Sequence, residues 1–392
     1  MNEIAIIVTI SVILSISPFF SKLLRIPTPA IEIMMGTIGA YYGFLSDHYL
    51  FKLIAEVGFF YLMFMAGMEV DLRLFNNKKA PIMREGFLYL VLLYAVSFLG
   101  ILYFDLDKIL IILLPMISVG LILALHKDYG KDARWLNLSM VVGTMGELTS
   151  IALLTFAGAA LEYGIGIELY KTILYLVLFL LGIFLLFKCL RIVFWWYPEL
   201  KTFLMPHFDK EEKDIRLSMA IFFLLIAIMV FLHLEVAFGA FIAGIFINTF
   251  FEHKKELPEK LSSFGFGFLV PVFFIYIGST FKLDALLSDG LITNAMLITA
   301  IMIFARILAS FVFIKMLSVK EVILFGLSHS MPLTLLIAVA TIAYNSHSIN
   351  YFLYLSFVLA SIFEVILVML SIKIIMAFGL KNKPHHTKTK RD

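Results

Sequence analysis

The sequence predicts an all-α polytopic membrane protein with about 13 transmembrane helices. Three observations carry that expectation. The 392 residues are 62% hydrophobic and 15% charged, against roughly 25% charged in a soluble globular domain, so the surplus apolar surface has to face lipid. Apolar runs recur at the length that crosses a bilayer, roughly 17 to 25 residues. Lysine and arginine also alternate between successive loops. The net charge of +3 is too small to argue for a nucleic-acid partner, and the single cysteine, Cys189, excludes an intramolecular disulfide.

In chain order the runs fall at roughly 4–20, 28–46, 49–68, 84–104, 108–126, 134–161, 168–190, 214–232, 235–251, 264–281, 290–314, 320–344 and 350–379. The N-terminal MNEIAII lacks the basic segment of a secretory signal, so the first run is read as a span. Loops after odd-numbered spans hold Lys22, Arg25, Arg73, Lys78, Lys79, Arg84, Lys127, Lys131, Arg134, Lys201, Lys210, Lys213, Arg216, Lys254, Lys255, Lys260, Lys315 and Lys320. The other side holds only Lys52, Lys108, Lys171 and Lys282 near helix ends. Basic residues stay cytoplasmic, which predicts an outside N-terminus and a cytoplasmic C-terminus in the inner membrane. Residues 191–213, with FWWYPEL and DKEEKD, read as an interfacial linker between 1–190 and 214–380, and 381–392 as a basic cytoplasmic tail.

The two halves resemble each other. FMAGMEVDLRLF (64–75) aligns with IYIGSTFKLDAL (275–286), matching Gly67 to Gly278. Pro115 and Pro332 stand 217 residues apart, as do Glu147 and Glu364. An odd linker helix between two six-helix units inverts the second, and inverted repeats with broken helices at mid-membrane are an architecture of secondary transporters. Chance likeness between apolar helices is the alternative.

The chain is organised around Glu147, near the centre of SMVVGTMGELTSIALLTF (139–156). A carboxylate at bilayer depth costs roughly 2.5 to 3.5 kcal/mol on insertion scales and normally faces water or a partner. Gly143, Thr144 and Ser150 share its face at helical spacing. The rival reading is an acid snorkelling to the headgroups. LLPMISVG (113–120) and LSHSMPLTLL (327–336) are candidate helix breaks, because proline removes a donor and clashes with the preceding turn. Freed backbone groups at a crossing of two broken helices would serve a cation, with Ser118 adding a hydroxyl. Two ordinary proline kinks remain the alternative. Arg306 needs an acid at its depth, and Glu364 and Glu147 both qualify. The Arg306–Glu364 pairing leaves Glu147 to titrate. His329 suits a proton relay or a simple hydrogen-bonding role. Glu69 and Asp71 read as groups that cap and orient a cytoplasmic helix end, with ion binding as the alternative.

LLRIPTPAIEIMMGTIGAYYG, IAEVGFFYLMFMAGMEVD, GAFIAGIFIN and FLVPVFFIYIGSTFKLDAL together resemble the cation:proton antiporter-2 family of the Kef/NapA type, over about residues 20 to 345. That resemblance implies the NhaA-like antiporter fold and a homodimer, each protomer with a dimerisation domain and a mobile core. It implies crossed discontinuous helices around Ser118 and around His329 to Pro332. It puts the ion-binding acid on Glu147 and the neighbouring basic residue on Arg306. The chain departs from the family where electrogenic members carry two adjacent acids, for Gly146 holds the first position. Glu also replaces Asp at the second. A nucleotide-binding domain like that of the Kef systems is not expected after KNKPHHTKTKRD.

The expected activity is exchange of a monovalent cation, sodium first and potassium or lithium as rivals, against protons. No cofactor and no catalysed reaction are expected. One acid that binds proton or cation, never both, couples the two fluxes. A receptor or scaffold without transport, and an organic-anion symporter with Arg306 as its cationic pocket, are the readings from other classes.

Overall fold

The computed structural model describes residues 2–24, 27–46, 48–70, 80–106, 110–119, 121–122, 125, 133–163, 166–204, 211–234, 236–251, 254, 256–281 and 289–380. Arg25, Asp71, Arg73, Lys78, Lys79, Lys108, Lys127, Lys131, Lys210, Glu235, Lys255, Lys282 and the tail 381–392 lie outside the described residues.

Four helices open the chain: α1 (Asn2–Leu24), α2 (Thr28–Tyr41), α3 (Tyr49–Glu69) and α4 (Ala80–Tyr103). The single turn α5 (Leu110–Leu113) gives way to non-helical backbone at 114–119, where Pro115 withholds a donor. Two 30-residue helices follow, α6 (Arg134–Tyr163) and α7 (Ile167–Trp196), then the short α8 (Pro198–Leu204). The second half contains α9 (Lys213–Leu232), α10 (Val236–Phe250) and α11 (Leu257–Ser279). It closes with α12 (Leu291–Ser310), α13 (Val319–His329), α14 (Leu333–Asn345) and α15 (Tyr351–Leu380). A π-turn over Gly265–Leu269 interrupts α11.

Two expected spans are therefore divided. The run 108–126 breaks after Leu113, and 320–344 breaks at Ser330–Pro332 between α13 and α14. Among the described residues, eight helices are long and apolar enough to cross a membrane. The chain is an all-helical, multi-span membrane protein.

Packing sorts the helices into two bundles. One is built from the contacts α1–α2, α2–α11, α3–α11, α3–α10 and α9–α10. The other is built from α4–α12, α4–α6, α6–α13, α12–α13, α12–α15 and α14–α15, with α5 against α4, α6 and α14. The bundles meet where α10 touches α6. Each bundle draws helices from both halves of the sequence. The apolar helix α7 packs on α6, and its Phe187 and Phe194 rings lie against Phe250 of α10. Most of its apolar surface is exposed, Leu178, Leu181, Phe184 and Leu185 included, as a lipid-facing helix requires.

Small residues set the closest crossings in the first bundle. Gly67 of α3 lies on the backbone of Phe241 and Gly244 of α10, while Gly278 of α11 lies on the backbone of Ile33 of α2. Each of the two matched glycines thus seats its helix on a helix of the other half. Thr37 Oγ1 donates to the Gly278 carbonyl at 3.0 Å, and Asn248 Nδ2 to the Val70 carbonyl at 2.8 Å. Backbone approach through small residues is how helices associate where lipid offers no hydrophobic drive. Gly244→Val would push a side chain into the α3 backbone, and overpacking of this kind costs about 1–3 kcal/mol. A lowered melting temperature in detergent is the expected result. Gly182→Val, at a position of α7 with open space around it, should melt like the parent.

Candidate functional site

The centre of the second bundle is a set of charges that lipid would not tolerate. Glu147, Arg306 and Glu364 are each 0% exposed. The break after α5 brings them into one network. Ser118 Oγ donates to Glu147 Oε1 at 3.3 Å, and the Val119 backbone N–H donates to the same carboxylate. The Ile117 backbone N–H donates to Ser150 Oγ at 3.3 Å. The Met116 carbonyl accepts from Arg306 Nη2. Groups freed by the loss of helix around Pro115 are thus spent on α6 and α12, as buried backbone in a membrane requires.

Arg306 is held on three sides. Besides Met116, its Nη1 donates to the Met302 carbonyl at 3.0 Å, one turn back on α12, and to Glu364 Oε1 of α15 at 3.4 Å. The anticipated Arg306–Glu364 pair is present, and the described contacts of Arg306 do not include Glu147. Among the described residues, Glu147 Oε2 and Glu364 Oε2 are buried with no hydrogen-bond partner.

Of the hydroxyls expected around Glu147, Ser118 is the one that bonds to it. Thr144 Oγ1 donates to the Met140 carbonyl of its own helix at 2.8 Å, and Ser150 serves the Ile117 amide. Both are buried beside the acid without bonding to it. Gly146 has a physical reason to lack a side chain: a Cβ there would meet the Ile117 side chain at 2.6 Å. The isoleucine fills the space a neighbouring acid would need.

The second break is tied to the same helix. Ser328 Oγ donates to Ser139 Oγ at 2.9 Å. His329 Nδ1 lies 3.1 Å from the Phe325 carbonyl and Nε2 lies 3.2 Å from the Ser139 carbonyl, with the ring against Tyr89 and Phe325. Both ring nitrogens face acceptors, so a neutral imidazole can donate to only one of them at a time. Pro332 precedes the first turn of α14, and its carbonyl accepts from Leu336 N–H at 2.7 Å.

Glu69 ends α3, half-buried, on the bundle that does not carry Glu147. At the opposite ends of these helices a cavity of about 860 Å³ separates the bundles, lined by Lys52, Glu56, Tyr276, Tyr351, Tyr354 and His347 among others. Tyr351 Oη bridges its edge by donating to the Thr280 carbonyl at 2.9 Å.

A family model described as "Sodium/hydrogen exchanger, transmembrane" matches residues 8–378. The chain belongs to the sodium/hydrogen exchanger family. It is thereby placed among transporters rather than enzymes. This exchanger-family chain is 24% identical over 379 residues to a Bacillus subtilis (strain 168) protein named "Putative Na(+)/H(+) antiporter YjbQ", covering 89% of the chain and 59% of that relative. It therefore spans about three fifths of that relative's length. A Methanocaldococcus jannaschii protein named "Probable Na(+)/H(+) antiporter 3" is 26% identical, with 68% of each covered. A Bacillus cereus protein named "Na(+)/H(+)-K(+) antiporter GerN" is 25% identical, with 62% of each covered. The fold is similar to that of the sodium proton antiporter MjNhaP1 from Methanocaldococcus jannaschii at pH 8, with a TM-score of 0.68, 15% identity, and 97% and 99% of the two chains covered.

Proposed function

We propose that this exchanger-family chain carries out secondary active antiport of a monovalent cation, sodium first, against protons, with Glu147 as the shared binding group. The observation that carries this reading is a fully buried carboxylate held by one hydroxyl and one amide from a broken helix. A buried charge of that kind needs a compensating partner. A proton or a small cation supplies one, and each excludes the other. The Ser118 hydroxyl adds a second oxygen beside the carboxylate, and oxygen is the ligand hard cations prefer.

Arg306 is assigned a structural role, pinning the break to α12 and α15 through Met116 and Glu364 rather than competing for Glu147. With Gly146 against Ile117, Glu147 has no acid beside it at the preceding position, which favours one-for-one, electroneutral exchange. His329 is assigned to a proton relay, Thr144 and Ser150 to the wall of the site. The bundle containing Glu147 moves against the other, which forms a homodimer, and the site opens alternately to the two sides. The exchange of helices between sequence halves in both bundles supports inverted repeats. The loop charges support an outside N-terminus.

The relative named for sodium, proton and potassium makes the cation the first thing to test. Reconstituted protein with an imposed pH gradient is expected to dissipate it on addition of sodium, and less on addition of potassium. Equal responses to the two would reassign the cation. No response to sodium, lithium or potassium would overturn the antiport reading in favour of a sensor or scaffold.

A further inference from the structure

We infer that Tyr351 and Thr280 form a latch between the two bundles, made in the arrangement whose outer end is open and broken when the bundles rock. The inference rests on the antiport reading and the topology above, and adds a residue pair that sets the balance between the two access states. Tyr351 opens α15 in the bundle of Glu147, and Thr280 follows the last turn of α11 in the other bundle. The Tyr351 phenol donates to the Thr280 carbonyl at 2.9 Å. That carbonyl is one of those a helix leaves without an internal partner at its C-terminus. Tyr354, one turn along α15, sets its hydroxyl 3.4 Å from Thr280 Oγ1.

Each end of the latch is fixed to its own bundle. On α11 the Thr280 backbone N–H donates to the Tyr276 carbonyl at 3.1 Å, and its hydroxyl donates to the Ile277 carbonyl at 2.8 Å. Two residues back, Gly278 lies on the backbone of Ile33. On the other side the Tyr354 ring stacks on Tyr344 of α14, with centroids 4.9 Å apart and planes 19° from parallel. Beside the latch the cavity of about 860 Å³ keeps the bundles apart. Hydrogen bonds, rather than close packing, therefore tie the bundles at this point. Such a bond is lost within about 1 Å of displacement, so relative motion of the bundles breaks it. While it is made, it stabilises the arrangement that has the cavity.

Apparent affinity at each face falls with the fraction of protein open to that face. The ratio of half-saturating sodium at the outer face to that at the inner face therefore follows the equilibrium between the two arrangements. Tyr351→Phe removes the donor and keeps the ring. In right-side-out and inside-out membrane vesicles it is expected to raise that ratio about threefold, as the loss of one net hydrogen bond implies. An unchanged or lowered ratio would overturn the latch. Should Tyr351→Phe misfold, a second variant decides: Thr280→Cys/Tyr351→Cys with Cys189→Ser, which removes the single native cysteine. Bridging the two thiols with a cleavable bifunctional reagent of about phenol length is expected to abolish sodium-driven proton movement, and cutting the bridge to restore it. A bridged protein that transports at the unbridged rate would show that the two positions never part, and the latch would fall while antiport stands. If the parent itself shows no cation response, the antiport reading falls and the latch with it.

Discussion

Glu147→Gln is expected to reduce cation-driven proton movement to that of empty liposomes while leaving the protein folded. The amide has the shape of the acid, and its oxygen can still accept from Ser118 and the Val119 amide. What it loses is the ability to exchange a proton and to carry the negative charge that binds a cation. Glu147→Asp should restore transport with half-saturating sodium shifted several-fold, because the shorter arm alters the distance to Ser118. Thermal melting of both variants belongs beside the transport assay. A variant that melts like the parent and still dissipates a pH gradient on sodium addition would remove Glu147 from the mechanism.

The largest effect on stability is expected at Arg306. Arg306→Met leaves Glu364 buried and uncompensated, and removing one partner of a buried pair costs about 3–5 kcal/mol. It also strips the Met116 carbonyl of its donor, loosening the break that presents Ser118. Glu364→Leu alone leaves the guanidinium with its two carbonyl contacts and should cost less. The double variant Arg306→Met/Glu364→Leu should recover part of the single Arg306→Met loss, since two apolar groups of similar volume replace the pair. Detergent melting curves for the four proteins give the coupling, and a coupling of zero would remove the pair from the account.

The charges at the core were legible because they violate the environment. Glu147, Arg306 and Glu364 interrupt apolar runs where the cost of a charge demands a reason, and Pro115 and Pro332 mark backbone that cannot stay helical. Partners were harder to read. Arg306 meets Met116 across 190 residues of sequence, and a carbonyl gives no compositional sign that it accepts from a distant guanidinium. Helical spacing puts Thr144 and Ser150 on the face of Glu147, yet spacing does not fix rotamers. Thr144 bonds back to its own helix, a local option open to hydroxyl side chains.

The helix between the two bundles has one more property. α7 has 30 residues, which is about 45 Å of helix, against a hydrocarbon layer of about 30 Å. Trp195, Trp196 and Tyr197 at its far end are residues that anchor at the headgroup level. An overlong, greasy rod anchored in this way has to lean, and the lean depends on how thick the surrounding lipid is. Acyl-chain length then becomes a mechanical input to a strut that packs on α6 and lies against α10.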